Sequence, residues 1–102
     1  MNIVGITACP TGIAHTYMAA EALEKAAKAL GHKIKVETQG SIGIENEITK
    51  KDIDNAEVAI FAADVAVIKE SRFKGMPIYR VEAQKAIKNP KVVIEEALKL
   101  LG

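Results

Sequence analysis

Cys9 is the single cysteine in this chain of 102 residues, and its neighbours indicate what its thiol could do. It leaves the apolar segment 2–8, enters a loop that contains Gly12, and precedes a helical pattern. The N–H groups and the dipole at a helix N-terminus favour an anion, and the thiolate is the nucleophilic form of cysteine. A lone cysteine is most often a small buried apolar residue, but this setting predicts a reactive one.

The loop that follows predicts a phosphate site around that sulfur. Pro10 has no N–H, so the donors are the backbone amides after it, and such a run of amides forms an anion-binding nest. Gly12 allows a positive φ and a close approach to phosphate. The alternative for the two threonines is simple helix capping, and for the histidine a contact with the helix face. The predicted phosphate-binding residues are Thr11, Gly12, Ile13, Ala14, His15 and Thr16.

Two familiar cysteine chemistries each lack a residue that they need here. A thioredoxin-like redox site requires Cys-x-x-Cys, and Gly12 occupies the second cysteine position. A cysteine phosphatase uses Cys-x5-Arg, and His15 stands where that arginine belongs, which removes the bidentate guanidinium contact from the loop. Asp64 is a formal candidate for a general acid. A carrier that holds phosphate for a better acceptor is favoured, while a phosphatase-like hydrolase and a non-catalytic regulatory module stay open.

Composition excludes several other classes. The formal net charge of +1 does not suggest a nucleic-acid partner. Two histidines and one cysteine without short ligand spacing predict no metal site. The chain start has no signal-peptide pattern, and the apolar runs fall far short of the roughly 20 residues of a membrane helix. We therefore expect no direct membrane insertion, and a single cysteine is compatible with a reducing cytoplasm.

Strands and helices alternate along the chain. The apolar run 2–8 predicts a buried strand, and spacings of three and four predict a helix from Ile13 to Leu30 that ends at Gly31. Further strands are predicted at 33–38 (half-exposed or at an edge), 57–63 and 76–81, with residues 39–43 as a polar loop between them. Thr49 and Asp52 predict a capped short helix, 64–72 is ambiguous, and 82–101 is helical with a break near Pro90.

These elements predict one domain over 1–102, an α/β three-layer sandwich of Rossmann-like type. Its sheet is expected to have four parallel strands in the order 2-1-3-4. Ligand sites of such sheets lie beyond the carboxyl ends of the strands. The predicted active-site loop after strand 1 therefore stands where chemistry is expected.

Two segments of this sequence closely resemble a known family. The segment 8–23 reads ACPTGIAHTYMAAEAL, and the segment 36–43 reads VETQGSIG. Both resemble signatures of the enzyme IIB domain of the fructose-type bacterial phosphotransferase system. Shorter matches at 52–53, 62–64 and 72–73 extend the resemblance over the chain.

The resemblance implies a phosphotransferase that works through a phosphocysteine. Cys9 would accept phosphate from a phosphohistidine of enzyme IIA and pass it to a sugar bound by the membrane enzyme IIC. Fructose, delivered as fructose 1-phosphate, is the implied sugar, with mannose derivatives or related sugars as alternatives. No cofactor besides the covalent phosphoryl group is implied, and the implied location is the cytoplasm, at the inner membrane face through IIC.

The second signature adds a further loop to the implied site. Gln39, Gly40 and Ser41 would lie beside the phosphate loop at the end of strand two, with a plain turn as the alternative. Arg72 would lie near the site and contact partners.

Overall fold

The computed structural model describes residues 1–9, 13–40 and 43–101. Its strands are β1 (Asn2–Ala8), β2 (Lys33–Gly40), β3 (Gly43–Glu45), β4 (Val58–Ala63) and β5 (Ile78–Val81). Its helices are α1 (Ile13–Ala29), α2 (Lys50–Asn55), α3 (Ala83–Lys88) and α4 (Pro90–Leu98), with 3-10 turns at Glu70–Phe73 and Lys99–Leu101.

The sheet has five strands in the order β3-β2-β1-β4-β5. The pairs β1–β2, β1–β4 and β4–β5 are parallel, as predicted for the four main strands and in the predicted order. The expectation of four strands was wrong by one, because β3 pairs antiparallel with the end of β2. A strand of three residues is too short to show a pattern in sequence, and Gly43, with φ of +104°, begins it where a polar loop was predicted.

The prediction of a half-exposed or edge strand for 33–38 holds only for the start of β2. Lys33 is exposed, whereas all four residues from Val36 to Gln39 are buried. Alternation of Lys35 and Glu37 with apolar residues indicated a solvent-facing side. The Glu37 carboxylate is instead covered by another part of the chain, because it has an ion-pair partner there.

Helices cover both faces of the sheet. One face packs against α1, α3 and α4 through a core of small and branched residues such as Ala26, Ile60 and Val93. The other face packs against α2 and the 3-10 turn around Phe61 and Phe73. Their rings meet edge to face with centroids 5.0 Å apart. Each strand of the centre is therefore apolar on both sides, as expected for a covered parallel sheet.

The element boundaries confirm two local predictions and define the structure of one ambiguous segment. Thr49 caps α2 and forms a capping box with Asp52. The C-terminal helical segment is divided at Pro90, which occupies the first turn of α4. Of the ambiguous segment 64–72, only the end is helical, as the turn Glu70–Phe73.

Candidate functional site

Cys9 lies directly beyond the carboxyl end of the central strand β1. Ala8 pairs with Gln39 of β2 on one side and with Ala63 of β4 on the other. The N–H of Asp64 donates to the carbonyl of Ala8 at 2.9 Å, which continues the β4 contact one residue past the strand. Cys9 itself is only 9% exposed. The sulfur is thus held at the edge of the sheet where ligands of this architecture bind.

The first turn of α1 lies beside this sulfur. Nδ1 of His15 is 3.9 Å from Sγ of Cys9, and His15 is exposed. The buried hydroxyl of Thr7 donates to the carbonyl of Thr16 at 3.0 Å and so fastens the helix to β1. The structure therefore brings together Cys9 and His15, which the sequence placed in one loop. An imidazole at this place can donate a hydrogen bond to a group carried on the sulfur.

The other predicted phosphate-loop residues fall into three groups. Thr11 and Gly12 lie outside the described residues, while Ile13 and Ala14 form the first turn of α1. Thr16 is 1% exposed and is the fourth residue of the helix. The capping alternative for Thr16 was therefore wrong, because an N-cap precedes the first helical residue.

The second predicted loop has a different structure from the one expected. Gln39 and Gly40 are the last residues of β2, so the plain-turn alternative was wrong for both, and Ser41 lies outside the described residues. Gln39 is only 5% exposed, and its side-chain amide forms two hydrogen bonds with the backbone of Ile68. Oε1 accepts from the N–H of Ile68 at 2.8 Å, and Nε2 donates to its carbonyl at 3.0 Å.

Residues 64–69, which we call the strap, run from the end of β4 to the segment that is hydrogen-bonded to Gln39. Asp64 begins the strap, and its carboxylate accepts from the N–H of Ala83 at 3.2 Å, at the start of α3. The carboxylate considered as a general acid is thus in contact with a helix N-terminus. Val65 and Ile68 of the strap are 44% and 57% exposed.

Glu37 and Arg72 form a buried ion pair that sequence reasoning missed. Nη1 and Nη2 of Arg72 donate to the two carboxylate oxygens of Glu37 at 2.8 and 2.9 Å. Nη1 also donates to the carbonyl of Ile48, and the N–H of Ile48 donates to Glu37 at 2.8 Å. The pair therefore ties β2 to two separate loops with the bidentate geometry that arginine favours. The idea that Arg72 contacts partners has no support here, since its side chain is only 17% exposed.

The charge of Glu37 is stabilised where it lies. Burial raises the pKa of its carboxyl, and the hydrogen bonds from Arg72 and Gln39 and from the Ile48 N–H lower it. The hydrogen bonds prevail, and the pKa lies below its ordinary value. The bond to Glu37 in turn raises the pKa of Arg72. The pair stays charged at neutral pH.

Among the residues that the structure describes, no group of three or more His, Cys, Asp and Glu side chains could hold a metal ion. Across 1–9, 13–40 and 43–101, no helix has the length and apolar character to cross a bilayer.

Comparison with known proteins finds similarity over most of the chain. A family model described as "PTS system, Lactose/Cellobiose specific IIB subunit" matches residues 4–96. The "PTS system fructose-like EIIB component 2" of Escherichia coli K12 is 51% identical over 95 residues, which cover 93% of this chain and 90% of that protein. The sugar in the family description and the sugar in the relative's name differ.

A longer relative and a solved structure extend the comparison. The "PTS system 2-O-alpha-mannosyl-D-glycerate-specific EIIABC component" of Escherichia coli K12 is 48% identical over 99 residues, which are 97% of this chain and 15% of that protein. A crystal structure of a domain of the fructose-specific IIABC component of Borrelia burgdorferi has a TM-score of 0.91 and 50% identity. The alignment covers 95% of this chain and 92% of that one.

Proposed function

This chain belongs to the IIB component family of the sugar phosphotransferase system, with relatives of the fructose type, and we propose that Cys9 is its phosphoryl carrier. The observation that carries the proposal is the position of Cys9. It lies at the carboxyl end of the central strand, against the first turn of α1 and 3.9 Å from Nδ1 of His15. A thiolate there meets helix N–H groups and a hydrogen-bonding imidazole, and both suit a phosphorylated sulfur.

The proposed reaction consists of two in-line displacements at phosphorus. In the first, the Cys9 thiolate attacks the phosphohistidine of enzyme IIA, so that an S–P bond forms while the N–P bond breaks and the histidine nitrogen leaves. In the second, a hydroxyl of the sugar held by enzyme IIC attacks the phosphocysteine, an O–P bond forms while the S–P bond breaks, the thiolate leaves, and the hydroxyl proton passes to a base or to water. Such transfers depend mainly on positioning and charge stabilisation. We propose that donors in the first turn of α1, His15 among them, supply this stabilisation.

The two arginines of the chain favour a carrier over a phosphatase-like hydrolase. Arg72 is bound to Glu37, and Arg80, on β5, is bound to Glu70 of the 3-10 turn. A cysteine phosphatase would need a guanidinium on the phosphate and its transition state. With both guanidinium groups engaged elsewhere, water has less help in attacking the phosphocysteine, and the thiophosphate persists until an acceptor arrives.

The partners and place of action follow the same proposal. The name of the mannosylglycerate relative joins A, B and C components in one chain, of which this protein matches the part of 99 residues. We propose that enzyme IIA donates the phosphate, that enzyme IIC presents the sugar, and that the domain acts in the cytoplasm at the inner membrane face. No cofactor is required beyond the phosphoryl group itself.

Fructose, released as fructose 1-phosphate, is the proposed sugar. The relative named for a fructose-like system and the relative named for mannosylglycerate are 51% and 48% identical to this chain, so a IIB chain of this type accompanies different sugars. The sugar is therefore proposed to be selected by IIC. Transfer assays with phosphorylated IIA and a fructose-type or a mannosylglycerate-type IIC separate these possibilities by which sugar phosphate forms.

The decisive experiment is phosphorylation of the purified protein by phosphorylated IIA, followed by intact mass and peptide mapping. We expect one phosphoryl group, on Cys9, and none in Cys9→Ser. His15→Ala is expected to slow the transfer, and His32→Ala is the matched control. Its imidazole contacts the N-terminal amine 3.2 Å away, at the other end of the sheet. A protein that takes no phosphate, or takes it on His15, would contradict the proposal.

A further inference from the structure

The strap crosses the end of β1 that bears Cys9. Ala63 and Gln39 pair with Ala8 from opposite sides, so they stand two strand spacings apart, roughly 10 Å. The chain leaves Ala63, bonds Ala8 through the N–H of Asp64, and reaches Gln39 at Ile68. Since α1 packs on one face of the sheet and Val67 of the strap packs on the other, the strap and α1 flank Cys9 from different sides.

The far end of the strap is held through its backbone. Gln39 bonds both the N–H and the carbonyl of Ile68. Arg72 adds bonds from Nη2 to the same carbonyl at 3.3 Å and from Nε to the carbonyl of Lys69 at 2.9 Å. Lys69 has a φ of +61°, a left-handed turn that these bonds help to hold. The ammonium group of Lys69 also pairs with Glu47, at 2.8 Å. None of these bonds uses the side chains of Val65 and Ile68, which are left exposed.

We infer that the strap is a docking element for the IIA domain that brings phosphate to Cys9, and that Gln39 is a positioning residue acting through Ile68. The inference rests on the proposed function. It goes further by assigning a partner surface to residues outside the phosphate loop.

The kind of partner follows from the exposed side chains. Cys9 is 9% exposed, so the donor must bring its phosphohistidine close, and its surface then covers the neighbouring strap. Val65 and Ile68 are branched and apolar and match an apolar protein surface around the phosphohistidine. A sugar would call instead for polar side chains at these two positions.

The chemistry of Gln39 explains why it would act indirectly. Its amide makes one more bond, from Nε2 to Glu37 at 2.7 Å, so its donors and acceptor are engaged inside the protein. Replacing it with leucine keeps the approximate size but removes both of its hydrogen bonds to the backbone of Ile68, which is then bonded by Arg72 alone of the two side chains. We expect the strap to be less firmly fixed and docking to weaken, while Cys9 and His15 keep their places on β1 and α1.

The test is a double-mutant cycle on phosphorylation of Cys9 by phosphorylated IIA. Ile68→Ala and Gln39→Leu are each expected to raise the KM for phosphorylated IIA about five- to tenfold, with kcat within about twofold of wild type. The double variant is expected to be no worse than about the larger single effect, because both act through one contact. Val92→Ala is the control, because Val92 on α4 is an apolar residue with an exposure of 43%, close to the 44% of Val65 in the strap.

A second variant keeps the inference testable if Gln39→Leu does not fold. Val65→Ala removes a strap side chain without touching any backbone bond, and it is expected to raise KM as Ile68→Ala does. Unchanged KM in both alanine variants, additive effects in the cycle, or a fall in kcat alone would overturn the inference. So would a defect confined to the transfer from Cys9 to sugar on IIC. If the wild-type protein takes no phosphate, the proposed function has failed instead.

Discussion

Two arginines of this protein occupy nearly the same local arrangement in two different environments. Arg72 and Arg80 each pair with a glutamate, and each guanidinium carbon lies 5.1 Å from the centroid of a phenylalanine ring, Phe73 and Phe61 respectively. In the first pair the arginine and glutamate side chains are 17% and 0% exposed. In the second they are 56% and 42% exposed.

The difference in burial means that the Arg72–Glu37 pair holds parts of the site together, whereas the Arg80–Glu70 pair lies on the surface. Arg72 bonds Glu37 twice and also holds backbone carbonyls of Ile48, Ile68 and Lys69, so its loss frees two loops at once. Arg80 bonds only the carboxylate of Glu70 among the described residues. Water can replace Arg80 at its glutamate, but it cannot reach the carboxylate of Glu37 without opening the protein.

The largest effect is expected from removing each arginine in turn. Arg72→Ala leaves a buried carboxylate without its counter-ion, and it is expected to lower the free energy of unfolding by about 3–5 kcal/mol. Arg80→Ala is expected to cost a small fraction of that, because its partner remains solvated. Urea denaturation followed by circular dichroism measures both. Equal losses would show that burial does not distinguish the two pairs.

A smaller effect is expected when the charge is kept and the geometry is changed. Lysine cannot reproduce the forked contact, so Arg72→Lys is expected to lower the free energy of unfolding by about 2 kcal/mol. Arg80→Lys, the matched variant, should be nearly neutral. The same denaturation experiment applies. Full stability in Arg72→Lys would mean that charge alone, without the bidentate bond, holds the strap.

Acid should weaken the buried pair. The folded-state pKa of Glu37 is lower than its ordinary value of 4.5, so its contribution is complete above that value. That contribution is lost as the pH falls through the folded-state pKa. We expect the free energy of unfolding to decrease as the pH falls below the ordinary pKa of 4.5 and on through the lower folded-state pKa. Glu37→Gln should flatten this dependence.

Glu70→Gln is the control for that titration. The bond to Arg80 also lowers the pKa of Glu70, but this carboxylate is exposed and screened. The variant should therefore keep most of the wild-type slope. If Glu70→Gln, and not Glu37→Gln, flattened the pH dependence of the free energy of unfolding, the comparison would be reversed.

Salt should produce the smallest change in stability, and only through the exposed Arg80–Glu70 pair. Exposed charges are screened within about 10 Å at about 0.1 M salt, and buried pairs much less. Raising NaCl from about 0.05 M to about 0.5 M should shrink the stability difference between wild type and Arg80→Ala. The difference between wild type and Arg72→Ala should persist. If both differences shrink alike, the Arg72 pair is accessible to ions.

The parts of the fold that the sequence predicted are those with a local signal. The apolar run of β1, the period of α1, the capping box at Thr49 and the break at Pro90 each concern residues within one element or its end. The four parallel strands and their order follow from how such elements connect. Cys9 and His15 were predicted together because they are six residues apart on one strand–helix unit, and the structure holds them 3.9 Å apart.

The parts that were missed depend on residues far apart in the chain. Nothing in the sequence around Glu37 indicates that Arg72 will bury it, because Arg72 lies 35 residues later in the chain. Alternation in β2 therefore indicated a solvent-facing side. The polar loop predicted from residue 39 was wrong for Gln39, which lies in β2 and pairs with Ala8. Its contact with Ile68 is a backbone contact, and the side chain of Ile68 gives no sign of it.

The sequence separation of these contacts also bears on the order in which parts of the site form during folding. Thr7 and Thr16, whose bond fastens α1 to β1, are nine residues apart. The bond that holds the strap to Gln39 joins residues 29 apart, and the Glu37–Arg72 pair behind it joins residues 35 apart. Contacts of low sequence separation close first, since less chain entropy is lost. We therefore expect the β1–α1 unit around Cys9 to form early and the strap to be among the last segments to become ordered. On a growing nascent chain, the Cys9 half can form while Arg72 is still to be synthesised.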